Sequence, residues 1–351
     1  METPQAATGE PVGKRLSGLD GVRAVAVLMV LVGHAAKFPQ FPGVIRDLLV
    51  LDIARFGVAI FFVLSGFLIT TLLVDERERR GRVSLRDFYL RRTIRIFPAA
   101  YLYIACAVVA ASIGWATLRS GDVVHALTYT MNYHHDRGWS LGHLWSLAVE
   151  EQFYLLWPLL FLWSGRRALF AAGAIIALAP VIRVLAWVLW PASHAGIDEE
   201  FQYVADALAT GCFAALLVQR VGAERLSQAI PRYAYPAALL MALAAASFSE
   251  WPSFYLPVGA TMVNIGIALC VLGVVFRINP GIDRVLNCRV AVFVGTISYS
   301  LYLWQQIFLG RQVQLARDMP PLAIALPFLV ASVSYFAVER PLLKLRERFR
   351  H

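Results

Sequence analysis

Apolar stretches of about 20 residues recur along the whole chain, and a helix rising 1.5 Å per residue needs about that length to cross the hydrocarbon core of a bilayer. They fall at 19–36, 56–74, 96–114, 142–163, 168–190, 201–218, 234–248, 254–276, 290–309 and 321–339. Composition agrees, with 59% hydrophobic and 16% charged residues and a mean hydropathy of +0.62, outside the range of a soluble domain. The expected fold is all-α: a polytopic membrane helix bundle of about ten transmembrane helices, or eleven if the short apolar piece at 123–131 is also drawn in.

Cationic residues set the orientation, because Lys and Arg are retained on the cytoplasmic side. With the N-terminus inside, the cytoplasmic segments hold 23 of the 32 Lys and Arg residues and the outer segments hold seven. Arg23 and Arg183 fall within spans. Both termini are therefore expected in the cytoplasm of a bacterium, with the chain as a multi-pass protein of the inner (cytoplasmic) membrane. The net charge of +9 then reports topology, and nucleic acid is not an expected partner. A secretory signal at the start is a poor reading, since Arg23 and His34 interrupt the first apolar run. The four cysteines, Cys106, Cys212, Cys270 and Cys288, have no metal-type spacing and read as packing residues, so no metal is expected.

Residues 1–18 lack apolar periodicity and read as a disordered cytoplasmic arm; 346–351 form a short cytoplasmic tail. The connection from Asp75 to Pro98 mixes charges with Val83, Leu85, Phe88 and Tyr89, a spacing that predicts a helix lying along the membrane face. No internal repeat stands out, which weakens an inverted-repeat transporter reading.

Ionisable residues inside the apolar runs are the functional candidates, because a charge at the centre of a membrane helix costs ~2.5–3.5 kcal/mol on insertion scales. In the first run, Arg23 and His34 are eleven residues apart and so within about 20° of one helical face, with Asp20 one turn before Arg23. In LGHLWSLAVEEQFYLLW, His143 and Glu150 share a face to within about 20°, and Glu151 points about 80° further round. If that helix runs from outside inward, the depths of the two polar stripes overlap and a glutamate is expected to polarise His34 as a general base. Interhelical pairs that only fix packing are the plain alternative. Arg92 and Arg95 share a face at the cytoplasmic edge and suit phosphate, with anionic lipid head groups as the competing partner.

Several of these segments together resemble one family. LDGVRAVAVLMVLVGHA, FFVLSGFLIT, the Arg92-x-x-Arg95 pair before IFP, LWSLAVEEQFYLLWP, GTISYSLYLWQ and VERP are similar to the motifs of the membrane-bound acyltransferase 3 family, the integral membrane acyl-CoA-dependent O-acyltransferases typified by O-antigen acetylases. The resemblance runs from residue 16 to 345, and it implies that 19–345 form one acyltransferase membrane domain. It departs at Gln305, where family members often carry histidine. It further implies His34 as catalytic, either as base or as covalent acyl acceptor, with Glu150 or Glu151 in the site, Arg92 and Arg95 on the donor, and Arg23 on the donor or supporting His34. Ser65 and Gly66 would give close backbone approach, and Asp20 and His143 would support.

No permanently bound cofactor is expected. Acyl-CoA, acetyl-CoA first among donors, would be the co-substrate, its pantetheine arm rising from the arginines through one continuous cavity to His34. An envelope glycan or glycolipid would be the acceptor, with membrane lipid around it. The competing readings are an acyltransferase acting on a lipid or secondary metabolite, and a proton-coupled transporter using the His and Glu residues as a relay.

Overall fold

A computed structural model of the chain describes residues 18–36, 53–190, 196–230, 235–236, 238–239, 254–310, 313, 315 and 318–347. Within these residues all regular structure is helical. The principal helices are α1 (Leu19–Ala35), α2 (Ile53–Arg80), α3 (Leu85–Ser112), α4 (Asp122–Leu127), α5 (Leu144–Ser164), α6 (Ala168–Leu189) and α7 (Phe201–Val221). They continue with α8 (Ala260–Val275), α9 (Arg289–Thr296), α10 (Ser298–Phe308), α11 (Pro320–Ser334) and α12 (Arg340–Glu347).

Six stretches among the described residues are long and apolar enough to cross a membrane: Ile53–Arg80, Leu85–Ser112, Trp139–Leu189, Phe201–Val221, Pro257–Val275 and Pro320–Lys344. The third, at 51 residues, contains α5 and α6 joined by a tight turn at Gly165–Arg167. It therefore holds both of the spans expected at 142–163 and 168–190. The run at 19–36 appears as α1, at 17 residues. The arm at 1–17, nearly all of the run at 234–248 and residues 348–351 lie outside the described residues.

Two expectations are corrected. The connection after the second span is not a separate surface helix: α2 runs on to Arg80, and α3 starts at Leu85 and continues unbroken to Ser112. Local capping explains this, because Ser84 Oγ accepts from Asp87 N at 3.3 Å and so starts α3 there. Glu76 then clasps the two ends, accepting from Ser84 N at 2.9 Å and from Arg91 at 2.8 Å. The run at 290–309 breaks into α9 and α10 at Ile297. Apolar side chains continue through that break, so hydropathy alone gives no sign of it.

Small residues bring the helices together, as expected where lipid removes most of the hydrophobic drive for association. At the α2–α7 crossing a Cβ on Gly66 would lie 1.9 Å from the Leu208 carbonyl oxygen, and one on Gly211 would lie 1.9 Å from that of Val63. Backbone cannot yield cheaply there. Gly211→Ala is expected to destabilise the bundle by about 1–3 kcal/mol, read as a lower thermal midpoint in detergent.

The in-span Arg183 has a local explanation. Only 2% exposed, it meets both carboxylate oxygens of Asp206 at 3.2 and 3.1 Å and donates to the Tyr203 carbonyl at 2.5 Å. Asp206 also accepts from Thr261 at 2.5 Å. A charge pair so fully satisfied ties α6, α7 and α8 together and satisfies the requirement for burying it.

Candidate active site

Two neighbouring cavities hold the polar residues singled out in the sequence. The first, about 190 Å³, is lined by Arg23, Ser65, Arg92, Arg95, Ser146, Glu150 and Tyr154 with apolar residues between them. Residues from α1, α2, α3 and α5 thus converge on one space. The Arg92 guanidinium lies 4.6 Å from the Tyr154 ring centroid and 5.8 Å from that of Phe88, so flat aromatic faces hold the cation. Arg23 pairs with Asp20 at 3.1 Å. Glu150 accepts hydrogen bonds from Ser65 Oγ and, at 2.7 Å, from Tyr154 OH.

The second cavity, about 300 Å³, is lined by His34, Arg55, Arg137, Trp139, His143, Glu199 and Gln306 among others. His34 Nδ1 lies 2.9 Å from Gln305 Oε1. Its ring meets the Trp139 ring nearly edge-on, at 5.2 Å and 66°. His143, 5% exposed, packs its ring against Tyr103 at 5.3 Å and Tyr302 at 5.4 Å. Arg137 pairs with Glu199, and Arg55 with Asp198.

The cavities share two wall residues, Val58 of α2 and Tyr302 of α10. Tyr302 is held in place from its hydroxyl, 2.5 Å from Ser146 Oγ and donating to the His143 carbonyl at 2.8 Å. The polar stripe of α1 runs past both spaces: Arg23 faces one and His34 the other, about 16 Å along the helix axis.

This geometry revises the expected site at several points. The group facing His34 Nδ1 is Gln305 and not Glu150. Depth is the reason, since Glu150 follows His143 by seven residues and so sits about 10 Å further along α5 than the level His143 shares with His34. For the same reason His143 and Glu150, although on one helical face, open into different cavities. The single continuous cavity expected between Arg92 and His34 is instead two, meeting at Val58 and Tyr302. Glu151 does not line either one, and its Oε1 is buried with no hydrogen-bond partner among the described residues. Gly66 belongs to the α2–α7 contact, while Ser65 next to it reaches the first cavity.

The reading from sequence missed Tyr154, Tyr302, Ser146 and Gln306. Tyr154 was within reach, four residues after Glu150 and so on the same face. Tyr302 and Gln306 carry no local mark. Gln152 of the same charged stretch serves structure, exchanging amide hydrogen bonds with Asn132 at 3.2 and 2.9 Å.

A family model described as an acyltransferase domain matches residues 16–339. The chain belongs to the acyltransferase 3 family. The chain is 29% identical to YrhL of Bacillus subtilis over 372 residues, covering 93% of the chain and 55% of that protein. It is 27% identical over 367 residues to the peptidoglycan O-acetyltransferase OatA of Listeria monocytogenes, covering 94% and 56%. Against the O-acetyltransferase OatA of Staphylococcus aureus it is 27% identical over 373 residues, covering 94% and 57%. The chain thus spans a little over half the length of the curated relatives it matches. No solved structure matches it.

Proposed function

We propose that the protein is an O-acetyltransferase of the bacterial cytoplasmic membrane, taking an acetyl group from cytoplasmic acetyl-CoA and delivering it to a hydroxyl of an envelope glycan. Peptidoglycan is the first acceptor to test, because the Listeria relative is a peptidoglycan O-acetyltransferase. The observation that carries the reading is the pair of neighbouring cavities, one with three arginines and one with His34, that share Val58 and Tyr302 as wall residues.

In this reading ten spans put both termini inside, as the 23-to-seven division of cationic residues favours. The arginine cavity then faces the cytoplasm. Coenzyme A is polyanionic, and Arg23, Arg92 and Arg95 match its phosphates in charge and fork geometry. The extended pantetheine arm passes Tyr302 and brings the thioester to the second cavity. There the acceptor oxygen bonds to the thioester carbonyl carbon as the C–S bond breaks. The hydroxyl proton is taken by His34 and passed to the departing sulfur, giving an O-acetyl ester and free coenzyme A. Glu150, held by Ser65 and Tyr154, stays on the donor side and balances the arginine charge.

Purified protein in liposomes, given labelled acetyl-CoA on one face and glycan fragments on the other, tests this directly. The expected result is labelled ester on the glycan. Wild-type protein that neither binds nor consumes acetyl-CoA, yet moves a solute with a proton gradient, would overturn the reading in favour of a transporter. Arg92→Ala and Arg95→Ala are each expected to raise the Kd for coenzyme A about tenfold, the worth of one charge-assisted hydrogen bond of ~1.5 kcal/mol. Titration calorimetry at two salt concentrations measures it, and the loss should be larger at low salt.

A further inference from the structure

The partner of His34 Nδ1 is an uncharged amide, and that amide is one link of a chain whose polarity can be worked out from its far end. Gln306 Nε2 lies 2.9 Å from the backbone carbonyl oxygen of Trp139. A carbonyl oxygen only accepts, so the Gln306 amide must turn its NH₂ toward Trp139 and its Oε1 the other way. Gln305 Nε2 meets that Oε1 at 3.0 Å, which obliges Gln305 to donate there. Gln305 Oε1 is thereby left facing His34 Nδ1 at 2.9 Å. Flipping either amide would set two donors or two acceptors against each other. The cost would be high, because Gln305 is 0% and Gln306 3% exposed.

An acceptor opposite Nδ1 requires the proton to be on Nδ1. In a neutral imidazole the lone pair is then on Nε2. We infer that Gln305 is a positioning residue, the end of a Trp139–Gln306–Gln305 amide relay that holds His34 in the Nδ1–H tautomer with Nε2 as its basic nitrogen. The relay has a second anchor, since Trp139 Nε1 donates to the Gln306 carbonyl at 3.0 Å and the Trp139 ring packs on His34 itself. At Nδ1 the orienting group is a neutral amide, so it fixes the direction and tautomer of the ring without placing a charge at that nitrogen.

The role of this tautomer in acetyl transfer rests on the function proposed above; the tautomer itself does not. The test is therefore spectroscopic as well as kinetic. The full chain labelled with ¹⁵N-histidine is purified in detergent, and His34 is assigned by its loss in His34→Ala. Above the titration of the ring, wild type should show a protonated Nδ1 and a lone-pair Nε2. Gln305→Met, which keeps length and removes the acceptor, should shift the signals toward Nε2–H and lower kcat about tenfold, leaving the KM for acetyl-CoA within twofold.

Gln305→His, which again offers one acceptor and one donor, should restore the Nδ1–H signature. A purely structural Gln305 would leave the tautomer unchanged in a folded Gln305→Met protein. An Nε2–H signature in wild type would overturn the relay outright, whatever the activity. Correct signatures in both proteins without acetyl transfer in either would uphold the relay and remove the proposed function.

Discussion

The His34→Ala protein is expected to bind acetyl-CoA as wild type does and to transfer its acetyl group about 10²–10⁴ times more slowly, the range spanned by loss of a positioned general base. The two halves of that result come from different cavities. In the proposed reading the donor side is built by Arg23, Arg92 and Arg95, and none of these lines the space that His34 lines. Removing the imidazole should therefore leave the proposed phosphate contacts intact and remove only the proposed acceptor of the hydroxyl proton. Single-turnover measurement with labelled acetyl-CoA separates the steps: the binding amplitude should persist and the transfer phase should slow. A fall in affinity equal to the fall in rate would mean that His34 holds the donor and does no proton transfer. Small imidazole added to the buffer should recover part of the lost rate, since the cavity emptied by the substitution adjoins a space of about 300 Å³.

How far such a site can be read from sequence depends on whether a residue's role is settled within its own helix or between helices. Helical period places Arg23 on the stripe of His34, Arg92 on the face of Arg95 and Glu150 a turn before Tyr154, and all but His34 of these line the arginine cavity. Period does not say which helix lies opposite, or at what depth. His34 and Gln305 are 271 positions apart, and nothing in either segment marks them as neighbours. Depth matters most at Glu150, where a shared polar face suggests nearness to His34 although two further turns of α5 separate the levels.

Hydropathy has the same limit. It finds the apolar content of α9 and α10 but not the break at Ile297, nor that Gly295 packs against the Asp20 carbonyl, where a Cβ would lie 1.8 Å away. The close approach is a property of the α1–α9 pair and leaves the apolar run intact.

Blocking the passage between the cavities should cost nearly as much as losing His34. Val58 is 8% exposed and, with Tyr302, walls both spaces, so on the proposed route Val58→Trp puts an indole where the pantetheine arm would pass. Because the arginines lie to one side of this point, acetyl-CoA should still bind with a Kd within a few-fold of wild type. The thioester, held short of His34, should react about 10²-fold more slowly or worse, since even a 1 Å misplacement of reacting groups can cost that much. Val58→Ala widens the same point and controls for damage to packing: it loses about two methyl groups of burial, ~1–2 kcal/mol, and should keep transfer near the wild-type rate. Equal loss in both variants would assign Val58 to packing alone. Normal transfer by a folded, donor-binding Val58→Trp protein would show that the acetyl group takes some other route, and the meeting of the two cavities at Tyr302 would then have no part in transfer.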